Sequence, residues 1–326
     1  MIVTVKKGYE PSLVRRRLAD LGLWVKALHS SDAGAAFQVE AYSAPIRPSY
    51  LEDLEGVEAV FGARPASAQV GDQNLPVRAG QHLIGPGAPF AVVAGPCSID
   101  TEERIHDLAR RLARRGARFL RGGAYKPRTS PYSFQGHGAQ ALRWMREAAA
   151  NAGLAVVTEC MSERSVDEVA EFADLVQVGS RNMQNYALLK EIGRTGKPVL
   201  LKRGMASTVE EWILAGEYLM VHGGSGVVFC ERGVRSFDTT TRNLLDLGVV
   251  ADLVHARGFP VVVDPSHATG RPDLIAPLCR AARALGAHGV MFETHGDRGG
   301  ALSDGPQALL PDDAESLVQE LTGGCS

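Results

Sequence analysis

The sequence predicts a (β/α)8 barrel preceded by a small ferredoxin-like domain. Two patterns carry this prediction. From residue 90 onward, eight short apolar runs alternate with amphipathic stretches that have the 3.6-residue period of helices covering a sheet. Before about residue 65, shorter segments follow a βαββαβ order, which is typical of ferredoxin-like or ACT-like domains. Eight consecutive βα units favour a closed barrel over an open doubly wound sheet, which usually has fewer strands.

The amino-terminal segments are short, and predicted strands and helices follow one another in the βαββαβ order. Expected strands are 2–6, 24–28, 37–42 and 57–61, and expected helices are 11–21 and 49–54. A chain of 326 residues accommodates one large domain of roughly 250 residues and a small one. We therefore expect a ferredoxin-like domain at 1–66, a linker at 67–89, where prolines, glycines and polar residues break the periodicity, and a barrel at 90–326.

The barrel segments follow in regular order. Expected strands are 91–94, 119–120, 155–157, 175–178, 199–201, 227–229, 261–263 and 290–292, with clear amphipathic helices at 102–115, 139–152 and 209–222. In this fold, the residues just past each strand converge on the C-terminal end of the barrel, where active sites are built. Residues that bind substrates or take part in catalysis are therefore expected at those positions.

Composition and charge exclude several classes of function. The net charge is −2, so no global positive field attracts nucleic acid or an anionic membrane surface. No apolar run approaches the roughly 20 residues that span a bilayer, and the first residues lack the layout of a signal peptide. Five scattered cysteines without a CxxC pair indicate reduced thiols. These features predict a cytoplasmic protein that binds neither nucleic acid nor membrane.

Positive side chains follow several of the expected strands. They are Arg121, Lys126 and Arg128 after strand two, Arg181 after strand four, Lys202 after strand five and Arg232 after strand six. Arginine offers a planar fork for phosphate or carboxylate, whereas lysine offers a point charge. So many cations exceed what one phosphate requires. They indicate two phosphorylated substrates, or one phosphate plus one phosphorylated carboxylate, although a solvated basic loop is the alternative for the cluster around Lys126.

Four further side chains at the same end of the barrel could hold a metal. Cys97, His267, Glu293 and Asp304 combine a thiolate, an imidazole and two carboxylates, a set that suits a borderline divalent ion such as Mn, Fe, Co or Zn. Taken singly, the cysteine could be a buried apolar residue, the histidine a structural one and each carboxylate an arginine partner. The shared position of all four favours the metal site.

Several segments of the barrel form a recognisable series. They are Ala-Gly-Pro-Cys97-Ser, Arg121-Gly-Gly-Ala-Tyr-Lys126-Pro-Arg128-Thr129-Ser-Pro, Val-Gly-Ser180-Arg181-Asn, Leu-Leu-Lys202-Arg-Gly, Cys-Glu-Arg232-Gly, Asp-Pro-Ser-His267 and Ala-Leu-Ser-Asp304-Gly. Together they resemble the segments of type Iβ 3-deoxy-D-arabino-heptulosonate 7-phosphate (DAHP) synthase. The match runs in order through about residues 83–322, and the segment around Lys126 is highly specific. The amino-terminal module is similar to the regulatory domain that some members carry.

The resemblance implies a condensation of phosphoenolpyruvate with erythrose 4-phosphate and water, the first step of the shikimate pathway. It implies that Cys97, His267, Glu293 and Asp304 bind one divalent metal, and that catalysis involves Lys126, Glu159, Cys97 and His267. Phosphoenolpyruvate contacts are implied for Arg121, Lys126, Ser180, Arg181, Lys202 and Arg232, and erythrose 4-phosphate contacts for Arg128 and Thr129. Glu159 would orient a water or take its proton; a salt bridge to a neighbouring cation is the alternative.

The chain departs from the family pattern between Glu293 and Asp304. The family usually has a loop there that contains proline and lysine, whereas this chain has a glycine-rich one of the same length. Its glycines are expected to loosen that loop.

Two other functions remain open on the sequence. One is 3-deoxy-octulosonate 8-phosphate synthase, which uses arabinose 5-phosphate on the same barrel and typically has an Asn-containing segment in place of Lys126-Pro-Arg128-Thr129. The other is a non-catalytic sensor of aromatic metabolites. The amino-terminal module is expected to bind an aromatic amino acid effector through a polar turn at residues 28–32 that contains His29 and Ser31, with an ordinary hairpin loop as the alternative. We also expect a homo-oligomer, a tetramer or a dimer.

Overall fold

A computed structural model describes residues 1–31, 34–40, 43, 46, 48–61, 68–71, 73, 75–126, 130 and 132–323 of the protein. The chain divides into two compact units, Met1–Ala68 and Gln69–Ser326. Each unit has its own hydrophobic core.

The first unit is a four-stranded antiparallel sheet with two helices. Its elements are β1 (Ile2–Val5), α1 (Pro11–Asp20), β2 (Val25–Ser31), β3 (Gly34–Val39), α2 (Pro48–Glu52) and β4 (Val57–Phe61). The strand order is β2-β3-β1-β4, and β1 pairs antiparallel with both β3 and β4. Val3, Val14, Leu18 and Leu51 are fully buried in its core. The βαββαβ order and this sheet confirm the ferredoxin-like fold.

The predicted polar turn at residues 28–32 is wrong in position. Strand β2 continues to Ser31, and the backbone pairs His29 with Ala36 and Ser31 with Gly34. Cross-strand hydrogen bonding in a hairpin satisfies the backbone whatever the side chains are, so polar residues at an exposed hairpin end can stay in the strand. The side chains of His29 and Ser31 lie outside the described residues.

The second unit is a closed parallel barrel. Its strands are β7 (Ala91–Gly95), β8 (Phe119–Arg121), β9 (Ala155–Glu159), β10 (Leu175–Val178), β11 (Val199–Lys202), β12 (Val227–Glu231), β13 (Val261–Val263) and β14 (Gly289–Glu293), numbered after the hairpin strands β5 (Val77–Ala79) and β6 (His82–Ile84). The order β7 to β14 closes where β14 pairs with β7. All eight predicted strands, and with them the (β/α)8 fold, are confirmed.

Helices surround the barrel. They are α3 (Ala68–Gly71), α4 (Glu102–Arg114), α5 (Ala139–Ala152), α6 (Val166–Phe172), α7 (Tyr186–Arg194), α8 (Val209–Val221), α9 (Leu247–Ala251), α10 (Pro265–Thr269), α11 (Ile275–Ala284) and α12 (Pro311–Thr322), with a π-helical turn at Asp252–Ala256 and 3-10 turns at Glu163–Ser165, Ser180–Asn182, Pro272–Leu274 and Gly305–Gln307. In the described part of the chain, none of them combines the length and the apolar character needed to cross a bilayer.

Local sequence explains where the long helices begin. The Thr208 hydroxyl accepts from the backbone N–H of Glu211, and the Glu211 carboxylate accepts from that of Thr208, which forms a capping box at the start of α8. Helix α4 begins after Thr101 with two glutamates in its first turn and ends with two arginines in its last. That distribution stabilises both ends of the helix dipole.

Most of the expected linker 67–89, from residue 69 onward, is part of the barrel unit instead. Gln73 exchanges two 2.8 Å hydrogen bonds with the backbone of Val227, and the β5–β6 hairpin buries Val77, Ala79 and Ile84 against the barrel interior. A three-residue strand is too short to show a periodicity, which is why the sequence pattern suggested a linker. This hairpin closes the N-terminal end of the barrel.

Candidate active site

The interior of the barrel is apolar at one end and ionic at the other. Side chains alternate between the two faces of a strand, so residues two apart face the same side. On seven of the eight strands, a polar residue comes two residues beyond the last apolar interior side chain. These polar residues, called the ionic layer here, are Arg121, Glu159, Gln177, Lys202, Arg232, Asp264 and Glu293, and they follow Phe119, Val157, Leu175, Leu200, Cys230, Val262 and Met291. Seven strands therefore deliver functional groups to one level.

The same alternation sends two other charged residues outward. Arg203 and Glu231 are adjacent in sequence to members of the ionic layer, but they pair with each other at 3.0 Å behind the sheet. Arg203 also contacts the carboxylate of Asp246, which caps the start of α9, at 3.2 Å. This pair secures a helix to the barrel wall and leaves the cavity to the ionic layer.

A cavity of about 410 Å³ opens above the ionic layer. It is lined by Arg121, Lys126, Glu159, Gln177, Gly179, Ser180, Arg181, Lys202, Met205, Arg232, Arg235, Arg242, Asn243, His267 and Asp304. The structure thus brings together every substrate-contact residue expected from the sequence except Arg128 and Thr129, which lie outside the described residues. Seven of the lining residues are Lys or Arg, so the cavity is built for a strongly anionic ligand.

Three of these cations are held by acceptors at the cavity floor. Arg121 Nη1 donates to Glu293 Oε1 at 2.8 Å and to the Pro96 carbonyl at 2.9 Å. Lys202 Nζ donates to Asp264 Oδ2 at 2.7 Å. Lys126 Nζ lies 2.9 Å from Cys97 Sγ and 3.0 Å from the Cys97 carbonyl oxygen. These contacts fix the direction of each cation before any ligand binds.

The expected metal ligands form a cluster beside the cations. Ligand atoms of Cys97, Glu293 and Asp304 lie within 4.8 Å of one another, and the Cys97 thiol donates to Asp304 Oδ2 at 3.0 Å. His267 Nε2 lies 3.2 Å from Glu293 Oε1, which attaches the fourth residue to the group. A thiolate, an imidazole and two carboxylates in one place fit a borderline divalent metal.

Asp264 orients the histidine of this cluster. Burial opposes its ionisation, but the charges of His267 and Lys202 hold the pKa of Asp264 well below its usual range. An ionised carboxylate only accepts hydrogen bonds. His267 Nδ1 therefore donates to Asp264 Oδ2, at 2.7 Å, and Nε2 is the nitrogen presented to Glu293.

Burial and charge set the protonation of the cluster. Burial raises the pKa of the Cys97 thiol to about 12, and the nearby Glu293 charge acts in the same direction. Burial also opposes ionisation of Glu293, but the charges of His267 and Arg121 bring its pKa down to about 2. A divalent cation here would supply the positive charge that stabilises a thiolate.

Comparison with known protein families identifies a family that includes this barrel. The profile of the DAHP synthetase I family matches residues 67–323, which include the whole barrel and the hairpin that closes it.

The chain belongs to the DAHP synthetase I family.

Similar proteins support this membership. Phospho-2-dehydro-3-deoxyheptonate aldolase of Thermotoga maritima is 45% identical over 83% of this chain and 81% of its own length. The crystal structure of the DAHP synthase of that organism matches 98% of this chain and 95% of its own with a TM-score of 0.76 and 39% identity. The 2-dehydro-3-deoxyphosphooctonate aldolase of Desulfatibacillum aliphaticivorans is 30% identical over 73% of this chain and 93% of its own length. The chain is therefore an enzyme of the aldolase type.

Glu159 is a carboxylate of the ionic layer, and the sequence left two interpretations of it open. It lines the cavity and accepts a 3.0 Å hydrogen bond from Gln177 Nε2. A Cβ atom at Gly179 would come within 2.1 Å of Glu159 Oε1, so only glycine leaves room for this carboxylate. The water-handling role of Glu159 therefore stays a prediction, as does its alternative, a salt bridge to a neighbouring cation.

Several residues of the site were not predicted from the sequence. Arg235 and Arg242 line the cavity from the long segment after β12, and Gln307 donates to Glu293 Oε2 from the 3-10 turn beyond Asp304. The prediction considered only the first residues after each strand, whereas these side chains reach the cavity from farther along a loop. The signal was present in the repeated arginines of residues 232–242.

Proposed function

We propose that this enzyme is a 3-deoxy-7-phosphoheptulonate synthase, which condenses phosphoenolpyruvate with D-erythrose 4-phosphate and water to DAHP and phosphate at the start of the shikimate pathway. The observation that carries the proposal is the meeting of five cations, Arg121, Lys126, Arg181, Lys202 and Arg232, with the cluster of Cys97, His267, Glu293 and Asp304 at one cavity.

The cations suit phosphoenolpyruvate. This substrate carries its carboxylate and its phosphate ester on the same carbon, C2. The buried Arg121, Lys202 and Arg232 offer both forked and point-like donors at the cavity floor. Arg181 and Ser180, on the 3-10 turn after β10, contribute from the side. Bound phosphoenolpyruvate would then present C3 to the open part of the cavity.

The metal ligands proposed are Cys97, His267, Glu293 and Asp304, for one divalent ion that is Mn, Fe, Co or Zn. When bound, the ion supplies Lewis acidity that polarises the aldehyde oxygen of erythrose 4-phosphate. The protein contributes a fixed arrangement of donors, because Asp264 orients His267, and Gln307 and Arg121 hold the two oxygens of Glu293.

The reaction forms one C–C bond and one C–O bond from water to C2, and it breaks the C2–O bond to phosphate. C3 of phosphoenolpyruvate attacks C1 of erythrose 4-phosphate, and the aldehyde oxygen gains a proton to become a hydroxyl. Water adds to the positively polarised C2, and we assign the water proton to Glu159. The C2–O bond to phosphate then breaks, the new hydroxyl loses its proton with the departing phosphate, and a ketone remains. Lys126 and Lys202 lie beside acceptors at the anion cavity, so we assign them to ligand binding rather than to a Schiff base.

The second phosphate is assigned to Arg128 and Thr129, which follow Lys126 in sequence. Replacing Arg128 with Ala should raise the KM for erythrose 4-phosphate more than that for phosphoenolpyruvate, because only one substrate loses its phosphate partner. An equal rise in both constants would contradict this assignment.

The function is tested by measuring phosphate release by the purified, chelator-treated chain with added divalent metals. Phosphoenolpyruvate with erythrose 4-phosphate should support turnover. Lys202→Met should reduce it at least about a hundred-fold, because a fixed charge is lost at the cavity floor. Lys197→Met is the matched control, because Lys197 precedes the other end of β11 and bonds the Ala173 carbonyl oxygen at 3.0 Å. A wild-type chain without turnover on any metal would favour the sensor.

The rival enzyme function is 3-deoxy-octulosonate 8-phosphate synthase. Its relatives match this chain at about 30% identity, against 45% for the Thermotoga maritima relative. The two activities are distinguished by the same assay with arabinose 5-phosphate in place of erythrose 4-phosphate. Faster turnover with the five-carbon phosphate would reverse the assignment.

The role of the ferredoxin-like unit is a separate proposal, namely that it binds an aromatic amino acid that inhibits the enzyme, in a homo-oligomer that is a tetramer or a dimer. A variant beginning near residue 83 would cut the β5–β6 hairpin, so the informative variant begins at Ala68, the end of the first unit. A truncated form of the Thermotoga maritima DAHP synthase matches 76% of this chain with a TM-score of 0.70. Tyrosine or phenylalanine should inhibit the full chain but not the variant, and light scattering gives the oligomer.

A further inference from the structure

Two of the proposed metal ligands are supplied by loops far apart in sequence. Cys97 follows β7, and Asp304 ends the segment 294–304 after β14. Asp304 has a φ of 47° and is the one non-glycine residue with positive φ in the described part of the chain. The segment before it contains Gly296, Gly299 and Gly300. Such a segment does not fix the Asp304 carboxylate by itself, because glycine adds conformational freedom.

A buried hydrogen-bond network joins the two loops. Ser303 Oγ donates to Ser98 Oγ at 2.7 Å, and Ser98 Oγ donates to Asp100 Oδ1 at 2.9 Å. His295 Nε2 lies 2.8 Å from Asp100 Oδ2. All four side chains are less than 9% exposed. Ser98 and Ser303 are the immediate neighbours of Cys97 and Asp304, so this network, called the Asp100 bridge here, connects the two ligand-bearing positions directly.

Each partner of Asp100 has a defined direction. His295 Nδ1 accepts from the backbone N–H of Asp297 at 3.1 Å, so Nε2 carries the proton and donates to Asp100. The backbone N–H of Leu302 donates to the same oxygen at 3.4 Å. One carboxylate therefore accepts from three donors, two of them in the segment that leads to Asp304. Only an acceptor with two free oxygens satisfies all of them.

We infer that Asp100, through Ser98, His295 and Ser303, is a positioning residue that holds Asp304 beside Cys97 and so preorganises the metal site. The inference rests on the metal site of the proposed function. The Cys97–Asp304 contact of 3.0 Å is the geometry that the bridge maintains. Without it, the glycine-rich segment must be ordered by the metal itself, which weakens binding.

The test measures metal affinity rather than turnover. The chelator-treated protein is titrated with Co²⁺ in competition with a chromophoric chelator, and the thiolate-to-cobalt absorption is followed. Asp100→Ala should bind Co²⁺ about 10- to 100-fold more weakly, the usual loss when a partner of a metal ligand is removed. Asp100→Asn should lie between this variant and the wild type, because its amide nitrogen faces a donor. Ser303→Ala should weaken binding less, because it removes one link.

Asp297→Asn is the matched control. Asp297 belongs to the same segment and contacts Arg104 at 3.3 Å, as Asp100 does at 3.8 Å. Its carboxylate is exposed, however, and otherwise accepts from the backbone N–H groups of Gly300 and Gly299. Wild-type affinity in this control together with the loss in Asp100→Ala supports the bridge. Equal losses in both variants, or wild-type affinity in Asp100→Ala, overturn it. Thermal unfolding in chelator shows whether each variant is folded; if Asp100→Ala is not, Asp100→Asn and Ser303→Ala decide.

The outcomes separate this inference from the proposed function. Cys97→Ser must lose the thiolate absorption for the signal to report the site. A wild-type protein without this absorption refutes the metal site and the bridge together. If the wild-type protein shows this absorption and Asp100→Ala binds Co²⁺ with the same affinity, the bridge alone is refuted.

Discussion

The two ends of the barrel interior are built by the same strands but differ in chemistry. At the N-terminal end, Val77 and Ile84 of the hairpin pack on apolar interior side chains such as Phe119 and Leu200. Two residues later on those two strands, Arg121 and Lys202 stand on the cavity floor. One end is packed with apolar side chains, and the other is lined with cations. The residues that stabilise the fold and those that line the cavity are therefore separated along each strand. Substitutions at the two ends should have different effects.

The largest effect is expected at the ionic end. Cys97→Ala should reduce turnover about a thousand-fold, roughly 4 kcal/mol of barrier, because the softest of the proposed metal ligands is lost. Its free energy of unfolding should change little in chelator. Steady-state kinetics and urea unfolding measure both. Cys279→Ala, at a buried cysteine of α11, is the control and should keep full activity. Full activity of Cys97→Ala without metal would remove the basis of the comparison.

The opposite result is expected at the apolar end. Ile84 is fully buried in the hairpin. Ile84→Ala should lower the free energy of unfolding by about 2–5 kcal/mol, because it leaves a cavity under the barrel. The kcat of the folded fraction should remain that of the wild type. A fall in kcat with unchanged urea unfolding would show that the two ends are coupled.

A smaller effect is expected where an added methyl group at Gly179 would displace Glu159, the carboxylate to which we assign the water proton. In Gly179→Ala the new Cβ displaces Glu159, whose Oε1 would be 2.1 Å away. A displacement of this size should cost about ten- to a hundred-fold in kcat. Gly71→Ala is the control, because a Cβ there meets nothing within 4 Å. If both variants are fully active, Glu159 does not handle the water.

The smallest effect is expected in the pH dependence of stability, at a histidine near the N-terminal end of the barrel. Burial and the nearby His255 lower the pKa of His288, whose Nδ1 accepts from the Val261 N–H at 3.1 Å. The unfolded chain therefore binds the proton more readily, so stability decreases as pH falls below about 6.5, the ordinary histidine value. His288→Gln should show a shallower decrease in unfolding free energy between pH 7.5 and 5.5. An unchanged slope would assign the effect to other groups.

The sequence predicts much of this molecule because its periodicities are local. All eight barrel strands are found where the apolar runs predict them, and residues such as Lys202 and Arg232 meet because parallel strands end at one level. The hairpin from Val77 to Ile84 is different, since its strands are defined by distant barrel contacts. The Asp100 bridge joins positions about two hundred residues apart, and hydrogen bonds between such positions leave no periodic signal. Arg235 and Arg242 depend likewise on the path of a long loop.

The apolar layer beneath the ionic layer has an electrical consequence. Hydrocarbon side chains polarise weakly, so the field of Arg121, Lys202 and Arg232 is screened less than it would be above water. Field lines from these cations are directed toward the open mouth of the cavity, where an incoming phosphate experiences them at longer range. We therefore expect the apolar floor of the barrel to increase the rate at which the cavity captures doubly charged anions.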